Sequence, residues 1–363
     1  MAGSSIGNIF KVTIWGDSAK NGTGIIIDGC PAGVKLSETM IQKFLNRRKP
    51  SGKSNASSRF ENYLTSFHSG VHNGKTTGGP ISMTVSVSGL AVDSLNISTL
   101  YRPGTADYAY DCKYGNFGAP GAEESELIAK IAAGAVASAV LESVGINICA
   151  YVQSIGPVPI SYINSTLEAL DKSSLNMPDL EATEAAENYL AKLKDAGDTT
   201  GGVVECIISG VPAGVGNSGF EKLDARLAQA VMSIDLAKGF EIGSGIESAA
   251  ITGSENNDAL YKDSDGNISK KTNNAGGILG GVTDGSEIVL RAAFMPSPAL
   301  AKEQQTVDIN GRPALLAASK SPDTCAVPGS CVAVEAMAAI TIADMLLENM
   351  SAKLENLLSF YKK

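Results

Sequence analysis

Residues 272–285 form the stretch whose residue types are best suited to holding a ligand. Five glycines stand between positions 276 and 285, directly after the paired amides of Asn273 and Asn274. Glycine allows positive φ and lets a ligand approach the main chain, while asparagine offers both donors and acceptors. The pattern predicts a backbone cradle for a flat or anionic ligand that includes Gly276 and Gly277. A glycine-rich turn between two strands is the alternative interpretation.

Two polar loops offer charged side chains that would suit an anionic ligand. Asp17, Ser18 and Lys20 lie in a turn-rich segment at residues 16–23, between two stretches whose alternation is typical of strands. Residues 49–62 are basic and polar and include Lys53. One interpretation of this second loop is a mobile flap that carries cations to a phosphate or carboxylate. The other is a solvated surface loop.

Metal and nucleotide chemistry find little support in the sequence. His68 and His72 are separated by a Ser-Gly pair and followed by an Asn-Gly pair, which indicates a turn rather than one helix face. The six cysteines are scattered without a C-x-x-C pair, which predicts reduced, mostly buried thiols and no zinc site. The Gly-Lys-Thr triplet at 74–76 is not a phosphate-binding P-loop, because Ser69 stands where that motif needs glycine.

The composition places the chain among ordinary globular proteins. It has 363 residues, 44% of them hydrophobic and 18% charged, with a net charge of −9. An acidic chain without a long basic run is a poor candidate for binding nucleic acid. No apolar stretch reaches the roughly 18 residues that a membrane span needs, and the first residues lack the pattern of a secretion signal. The sequence predicts a cytoplasmic protein with no nucleic-acid or membrane partner.

The elements that must position these loops follow from apolar periodicity. Strands are predicted at about residues 9–15, 24–28, 81–87, 149–155 and 202–209, and helices at about 37–47, 118–143, 182–196, 220–232 and 332–358. The segment Gly-x-Pro-Ala-Gly-Val occurs at 29–34 and again at 210–215, each time between a strand and a helix. This repeat fits a fold built from two similar halves packed together.

Nine colinear blocks of sequence resemble chorismate synthase, and together they cover nearly the whole chain. The blocks are residues 7–16, 28–33, 47–48, 69–80, 102–108, 113–115, 253–258, 272–281 and 305–308. The resemblance implies an α+β fold, a β-α-β sandwich with internal pseudo-two-fold symmetry. It implies a single domain over residues 1–363, with similar halves at about 1–150 and 200–345, and a homotetramer.

The family's reaction removes phosphate and a ring proton from 5-enolpyruvylshikimate 3-phosphate to give chorismate, with reduced FMN required. Such a site needs cations for the phosphate and carboxylates, and a proton donor for the leaving group. By resemblance, the catalytic positions are Asp323, Ser18, Lys20 and Thr105. The cofactor-binding positions are Asn273, Asn274, Gly276, Gly277, Ser125, Met295 and Ser297. The substrate-binding positions are Arg47, Arg48, Lys53, Asp17 and Asp107.

The sequence departs from the family pattern at charged site positions while it keeps the glycine and proline turns. Ala19 and Thr105 stand where the family has histidines, and Met295 stands where it has a lysine. Arginines of the family correspond to Gly121, Ser125 and Gly329. Met295 and Ser125 thus remove cations expected near the flavin, which weighs against FMN binding, and a neutral aromatic ligand would suit the same cradle.

Three hypotheses follow for the function. The first is a repurposed family member that binds or transforms a different small molecule in the same pocket. The second is a non-catalytic paralogue that assists a working enzyme. The third is chorismate synthase itself, a phosphate-eliminating lyase, with an unusual site. The lost cations and histidines place the third hypothesis behind the first two, because each lost charged contact would cost about 1.5–3 kcal/mol.

Overall fold

The computed structural model describes residues 3–17, 22–48, 62–88, 99–115, 122–264, 266, 268–319 and 322–362. The helices of this part are α1 (Glu38–Arg47), α2 (Asp107–Tyr114), α3 (Ala122–Glu142), α4 (Leu167–Lys172), α5 (Leu180–Asp195), α6 (Leu223–Met232), α7 (Gly253–Asn256), α8 (Val327–Asn349) and α9 (Leu354–Tyr361). Short 3₁₀ turns span Gly219–Glu221 and Gly245–Ala250.

The strands of the first half are β1 (Ser5–Ile6), β2 (Lys11–Asp17), β3 (Gly22–Asp28), β4 (Asn62–Ser69), β5 (Val71–His72), β6 (Lys75–Thr76), β7 (Ile81–Ser88), β8 (Asn147–Ile155) and β9 (Val158–Pro159). Those of the second half are β10 (Gly202–Ser209), β11 (Ala237–Ile242), β12 (Leu260–Lys262), β13 (Ile268–Lys270), β14 (Ile278–Leu279), β15 (Val282–Thr283), β16 (Ile288–Phe294), β17 (Gln304–Val307) and β18 (Pro313–Leu316).

Two antiparallel sheets of five strands each form the outer layers. Their strand orders are β1-β2-β3-β7-β4 and β11-β16-β10-β8-β9. The inward positions alternate with outward ones, as in β16, where Ile288, Leu290, Ala292 and Phe294 are buried and the residues between them are not. One face of each sheet is therefore apolar and must be covered.

A layer of helices covers both apolar faces. α3 packs against β2 and β3, α8 packs against β8 and β10, and the two helices pack against each other. Their crossing is close: a Cβ added to Gly134 of α3 would lie 2.2 Å from the Cβ of Ala336 in α8. α1 and α6 flank this pair. The arrangement is the predicted α+β sandwich, with a helical layer between two sheets.

The two Pro-Ala-Gly-Val turns have the same hydrogen bonds, each made with a threonine from a distant strand. The hydroxyl of Thr76 accepts from Val34 N and donates to Pro31 O, at 3.0 and 2.6 Å. The hydroxyl of Thr283 likewise accepts from Val215 N, at 2.9 Å, and donates to a proline carbonyl, at 2.6 Å. The predicted repeat therefore extends to a threonine in each half that the sequence did not single out.

The C-terminal region differs from the single long helix predicted at residues 332–358. α8 begins earlier, at Val327, with a proline in its first turn, and ends at Asn349. α9 begins at Leu354 after four exposed residues. The apolar spacing continues across the break, but burial in the core ends at Met345. Because helix stability in proteins comes mostly from packing, the helical path changes where the packing ends.

α8 also corrects the expectation that no stretch is long and apolar enough to cross a membrane. Within the described ranges it is the one helix that meets this length and composition, and 89% of its most apolar window is buried inside the protein. A helix buried on all sides is apolar on all sides. Two of its three carboxylates, Glu335 and Asp344, are buried and paired with Arg47 and Arg226. α8 is thus the central helix of the core.

Candidate functional site

The glycine-rich stretch at 272–285 forms a tight hairpin and a close contact with β11. β14 and β15 pair across Gly280 and Gly281, and β16 follows, as predicted for a strand leaving this loop. A Cβ added to Gly276 would lie 2.3 Å from Gly243 N, and one added to Gly277 would lie 2.5 Å from Glu287 O. Contacts within the chain therefore require both glycines, as the turn interpretation predicts. Their contact with a ligand stays a prediction.

Asn273 holds the hairpin to the strand that follows it. Its side-chain amide donates to Glu287 O at 2.8 Å. Its side-chain oxygen accepts from Gly277 N and from Lys270 Nζ, both at 2.9 Å. The amide therefore sets the path of residues 273–277, which makes it a positioning group for anything that binds to this loop.

Asn274 ties the same loop to the polar segment before it. Its side-chain amide donates to Glu255 O and Asn256 O, each at 3.1 Å. Its backbone N–H donates to Asp258 Oδ1 at 2.7 Å, and Ala275 N donates to Asp258 Oδ2 at 3.0 Å. Both amides of the predicted Asn pair are thus engaged within the chain.

A buried charge cluster of Asp258, Lys270 and Asp284 lies beneath this loop. Lys270 Nζ is 2.7 Å from Asp284 Oδ2 and 3.4 Å from Asp258 Oδ2, and its side chain is 6% exposed. Burial acts to raise the pKa of Asp258, but hydrogen bonds from the Thr272 hydroxyl and from Ala275 N and Asn274 N outweigh it and lower the pKa to about 2. Asp258 is therefore a carboxylate at neutral pH that anchors the loop through its charge.

The second group of predicted residues surrounds the loop at 102–107. Arg102 and Asp107 form a two-pronged ion pair, in which Nε and Nη2 donate to the carboxylate at 2.7 and 2.6 Å. Burial raises the pKa of Asp107, but the hydrogen bonds from Arg102 prevail and lower it. The Thr105 hydroxyl donates to Arg102 O at 3.0 Å and accepts from Asp107 N at 3.4 Å. In this geometry Asp107 and Thr105 shape the loop.

Two further predicted residues, Ser297 and Asp323, lie at this same end of the fold. A Cβ on Gly104 would be 2.9 Å from Pro298, which places Thr105 beside the segment that contains Ser297. The Ser297 carbonyl accepts from Thr199, and Thr200 N donates to Thr324 O, next to Asp323. Asp323 accepts from Cys325 N at 3.2 Å. We call Thr105, Ser297 and Asp323 the distal group.

The neighbouring arginines Arg47 and Arg48 have different partners. Arg47 forms an ion pair with Glu335 of α8 at 2.6 Å, and the Glu335 side chain is 4% exposed. Glu335 also accepts from Ala150 N at 2.8 Å. Arg48 donates to the Tyr63 hydroxyl at 2.9 Å. Arg47 therefore neutralises a core carboxylate, and the bond to Tyr63 joins Arg48, at the end of α1, to β4.

The remaining predicted residues are spread over several elements. Ser125 is buried in the first turn of α3, and Met295 follows the end of β16, where its N–H donates to Leu236 O. Asp17 is the last residue of β2. Ser18, Lys20 and Lys53 lie outside the described residues, as does most of the basic loop at 49–62.

Within a single copy of the chain, the predicted site residues do not all lie close together. The loop at 273–277 contacts Gly243 and Glu287, at the beginning of β16, whereas Met295 and the distal group lie beyond its other end. A strand of seven residues spans roughly 20 Å. Apart from Ser125 in α3, the predicted cofactor-binding positions therefore fall into two clusters at opposite ends of one sheet.

Sequence reasoning missed Lys270 and left Asp258 without a role. Asp258 is the last residue of the 253–258 block of the resemblance. Its place in that block is the only feature of the sequence that points to it. Lys270 lies outside every block of the resemblance, at the end of β13, which pairs with β12. The three members of the charge cluster come from separate parts of the chain, so no local pattern points to the cluster.

Fold and site together define an α+β protein in which helices lie between two five-stranded antiparallel sheets, with polar loops clustered at the sheet ends. The family model for chorismate synthase matches residues 10–347. The chain belongs to the chorismate synthase family.

Full-length relatives agree with this assignment. Chorismate synthase of Lachnoclostridium phytofermentans is 49% identical, and that of Agathobacter rectalis is 47% identical, each over 100% of both chains. A crystal structure of chorismate synthase superposes with a TM-score of 0.76 at 30% identity, covering 95% of this chain and 94% of the other. Members of this family are lyases of the shikimate pathway, which leads to aromatic amino acids, and use reduced FMN.

The relatives bear on the three hypotheses in different ways. They support the family assignment and favour the third hypothesis, chorismate synthase with an unusual site, over the repurposed pocket. The repurposed pocket gains no support from them. Thr105, Met295 and Gly329 stand where the resemblance expects other residues, and both their departure from the family and its effect on the reaction stay predictions.

The described residues fit a flavin in part. The first turn of α3, with buried Ser125, offers the N-terminus of a 21-residue helix, which suits a phosphate. Around residues 273–277, the side chains of Asn273 and Asn274 and the ammonium of Lys270 already have partners within the chain. A flavin would therefore meet mainly backbone at this loop.

Proposed function

We propose that this protein is a chorismate synthase that eliminates phosphate from 5-enolpyruvylshikimate 3-phosphate. The observation that carries the proposal is 49% identity with a chorismate synthase over the full length of both chains. The mixed sandwich and the ordered loop at 273–277 support it. The protein would act in the cytoplasm.

The chain's own contribution is to bind and orient an anionic substrate. Arg48, with Lys20 and Lys53 by resemblance, would supply charge for the phosphate and carboxylates. Arg47, a substrate-binding position by resemblance, would add less charge to this set, because Glu335 already pairs with it at 2.6 Å. Reduced FMN, when bound, would supply electron density to the substrate ring, with the start of α3 and the loop at 273–277 as its binding elements.

The proposal is tested by an anaerobic assay with reduced FMN and 5-enolpyruvylshikimate 3-phosphate. Chorismate is measured by absorbance and phosphate by a coupled assay. We expect the two products in equal amounts, with an increase in KM for Arg48→Met and little change for Lys172→Met, a surface lysine paired with Glu168. A folded protein that releases neither product would overturn the proposal.

A second candidate function, binding without the family reaction, is favoured by the packing at Gly329. The resemblance expects an arginine there, but a Cβ on Gly329 would lie 3.1 Å from Arg48 O, so a side chain requires the end of α1 to move. The start of α8 has thus packed closely against α1 in place of a cation. Under this candidate the substrate shifts the melting temperature but is not turned over.

Restoring a proton donor separates the two candidates. Thr105→His places an imidazole where the resemblance expects one, and general acid catalysis typically contributes 10²–10⁴-fold. We expect this variant to turn over faster than the unaltered chain under the first candidate. Thr105→Val, which removes the hydroxyl without adding an acid, is the matched control. Substrate binding with no turnover in either protein supports the second candidate.

We propose further that the protein works as a homotetramer. The two clusters of predicted cofactor-binding residues, at 273–277 and at 295–297, lie roughly 20 Å apart within one chain. Association of copies would allow one chain's loop to approach the other cluster of a neighbour. Light scattering of the purified chain at several concentrations tests this, and a monomer that is fully active would contradict it.

A further inference from the structure

A cavity separate from the candidate site lies between the edge of the first sheet and helices α3, α6 and α8. Its volume is about 230 Å³, and its floor is formed by the side chains of Val12, Ile14, Met337 and Ile340. None of the residues predicted for catalysis, cofactor or substrate lines it. Pockets for drug-sized ligands span about 300–1,000 Å³, so this cavity suits a smaller molecule.

The wall of this cavity carries two opposite charges on successive turns of α3. Lys130 has a side chain that is 13% exposed, and its Nζ lies 3.7 Å from Glu126 Oε2. That distance is beyond a direct hydrogen bond, so the two groups attract one another without being locked together. Lys130 Nζ donates to Ser233 O at 2.5 Å, which fixes the ammonium at the end of α6.

The ammonium of Lys130 is held in a poorly solvated place. Burial lowers the pKa of Lys130, and the nearby carboxylates of Glu126 and Asp235 partly oppose the shift. A desolvated ammonium at a cavity wall gains from an added anionic partner more than a surface lysine does. The Glu126 side chain is 59% exposed and lies at the mouth, beside the exposed Gln229.

We propose that this cavity binds a free α-amino acid with an apolar side chain. Its carboxylate would contact Lys130, its ammonium would contact Glu126, and its side chain would lie on the aliphatic and thioether floor. A zwitterion matches both wall charges and brings no net charge into the cavity, so no buried charge is left unpaired. The methionine in the floor adapts to side chains of different shape.

Single-charge ligands match the cavity less well. A simple carboxylate would satisfy Lys130 but would place a negative group beside Glu126. A simple amine would satisfy Glu126 but would place a positive group beside Lys130. The proposal therefore predicts a requirement for both charges on one molecule. It does not depend on whether the chain makes chorismate, because none of the candidate catalytic residues lines this cavity.

The test measures binding to the full chain at pH 7 by thermal shift and by calorimetry. The probes are L-leucine, L-methionine and L-phenylalanine, each beside its analogue without the ammonium and its analogue without the carboxylate. We expect saturable binding of at least one amino acid and at least tenfold weaker binding of both of its analogues. Absence of binding by all three amino acids, or equal binding by a single-charge analogue, would overturn the proposal.

Substitutions at Lys130 and Glu126 test whether the amino acid binds in this cavity. Lys130→Met should weaken amino-acid binding at least tenfold, and Glu126→Gln should weaken it while leaving binding of the deaminated analogue unchanged or tighter. Glu126 is mostly exposed, so its variant should fold even if Lys130→Met does not. Lys172→Met, in a surface i,i+4 pair with Glu168, is the matched control. Unchanged affinity in Glu126→Gln, with the amino acid still bound, contradicts the proposed geometry.

Discussion

Asp344 and Arg226 form a buried ion pair with a nitrogen–oxygen distance of 2.6 Å. The Asp344 carboxylate is fully buried and also accepts from the backbone N–H groups of Asn8, Ile9 and Phe10 at 2.7–3.0 Å. Arg226 belongs to α6 and Asp344 to α8, so one carboxylate joins two helices to the beginning of the chain.

We expect Asp344→Ala to lower the free energy of unfolding by about 3–5 kcal/mol. Removal of one partner of a buried pair leaves the other charge unpaired, and three backbone donors lose their acceptor as well. Urea denaturation of the variant measures the loss. Asp198→Asn, which breaks a surface pair with Lys302, should change the midpoint little. An equal effect of the two substitutions would contradict the role assigned to Asp344.

The loop at 273–277 should be less stable at low pH, because the charged carboxylate of Asp258 anchors it. Its pKa is lowered to about 2 in the folded chain, below the ordinary value of about 3.9, so its contribution is present above about pH 4 and is lost as the pH falls towards 2. A shift of this size corresponds to roughly 2 kcal/mol. The stability difference between the unaltered chain and Asp258→Asn should therefore shrink over this range. A difference that is constant with pH would contradict this expectation.

The closest helix crossing depends on Gly134. A Cβ at this position would lie 2.2 Å from the Cβ of Ala336, so Gly134→Ala forces α3 and α8 apart. Overpacking of a core typically costs about 1–3 kcal/mol, and we expect a loss in that range. Gly253→Ala is the matched control, since a Cβ there meets nothing within 4 Å at the start of α7. Thermal unfolding of both variants measures the contrast.

Substitutions of Arg47 and Arg48 should have different effects on stability and on substrate binding. Arg47→Met leaves the carboxylate of Glu335 buried without its partner, so it should lower the unfolding free energy by about 3–5 kcal/mol. Arg48→Met should affect mainly substrate binding, seen as a higher KM. Denaturation and steady-state kinetics on both variants provide the two readouts. A higher KM for Arg47→Met, together with a loss of stability for Arg48→Met, would contradict these roles.

Much of the local structure was predictable because it depends on near neighbours in the chain. The helix predicted at about 37–47 is α1, and Ser37 caps it with its hydroxyl accepting from Met40 N at 3.3 Å. The strand predicted at 202–209 has those same bounds in the structure. The two Pro-Ala-Gly-Val turns each lie between a strand and a helix. The break between α8 and α9 was not predictable, because apolar spacing continues across it and only packing ends there.

The sequence by itself determined the family, the two similar turns and the strands and helices that flank them. Those features depend on residue types and on spacings of a few residues. Only the tertiary structure decided which charged residues are already paired. Arg47 and Glu335 lie 288 positions apart, and Lys270 meets Asp258 and Asp284 through a folded hairpin. The same physical reason, contact between residues distant in sequence, places the loop at 273–277 and the distal group at opposite ends of one sheet.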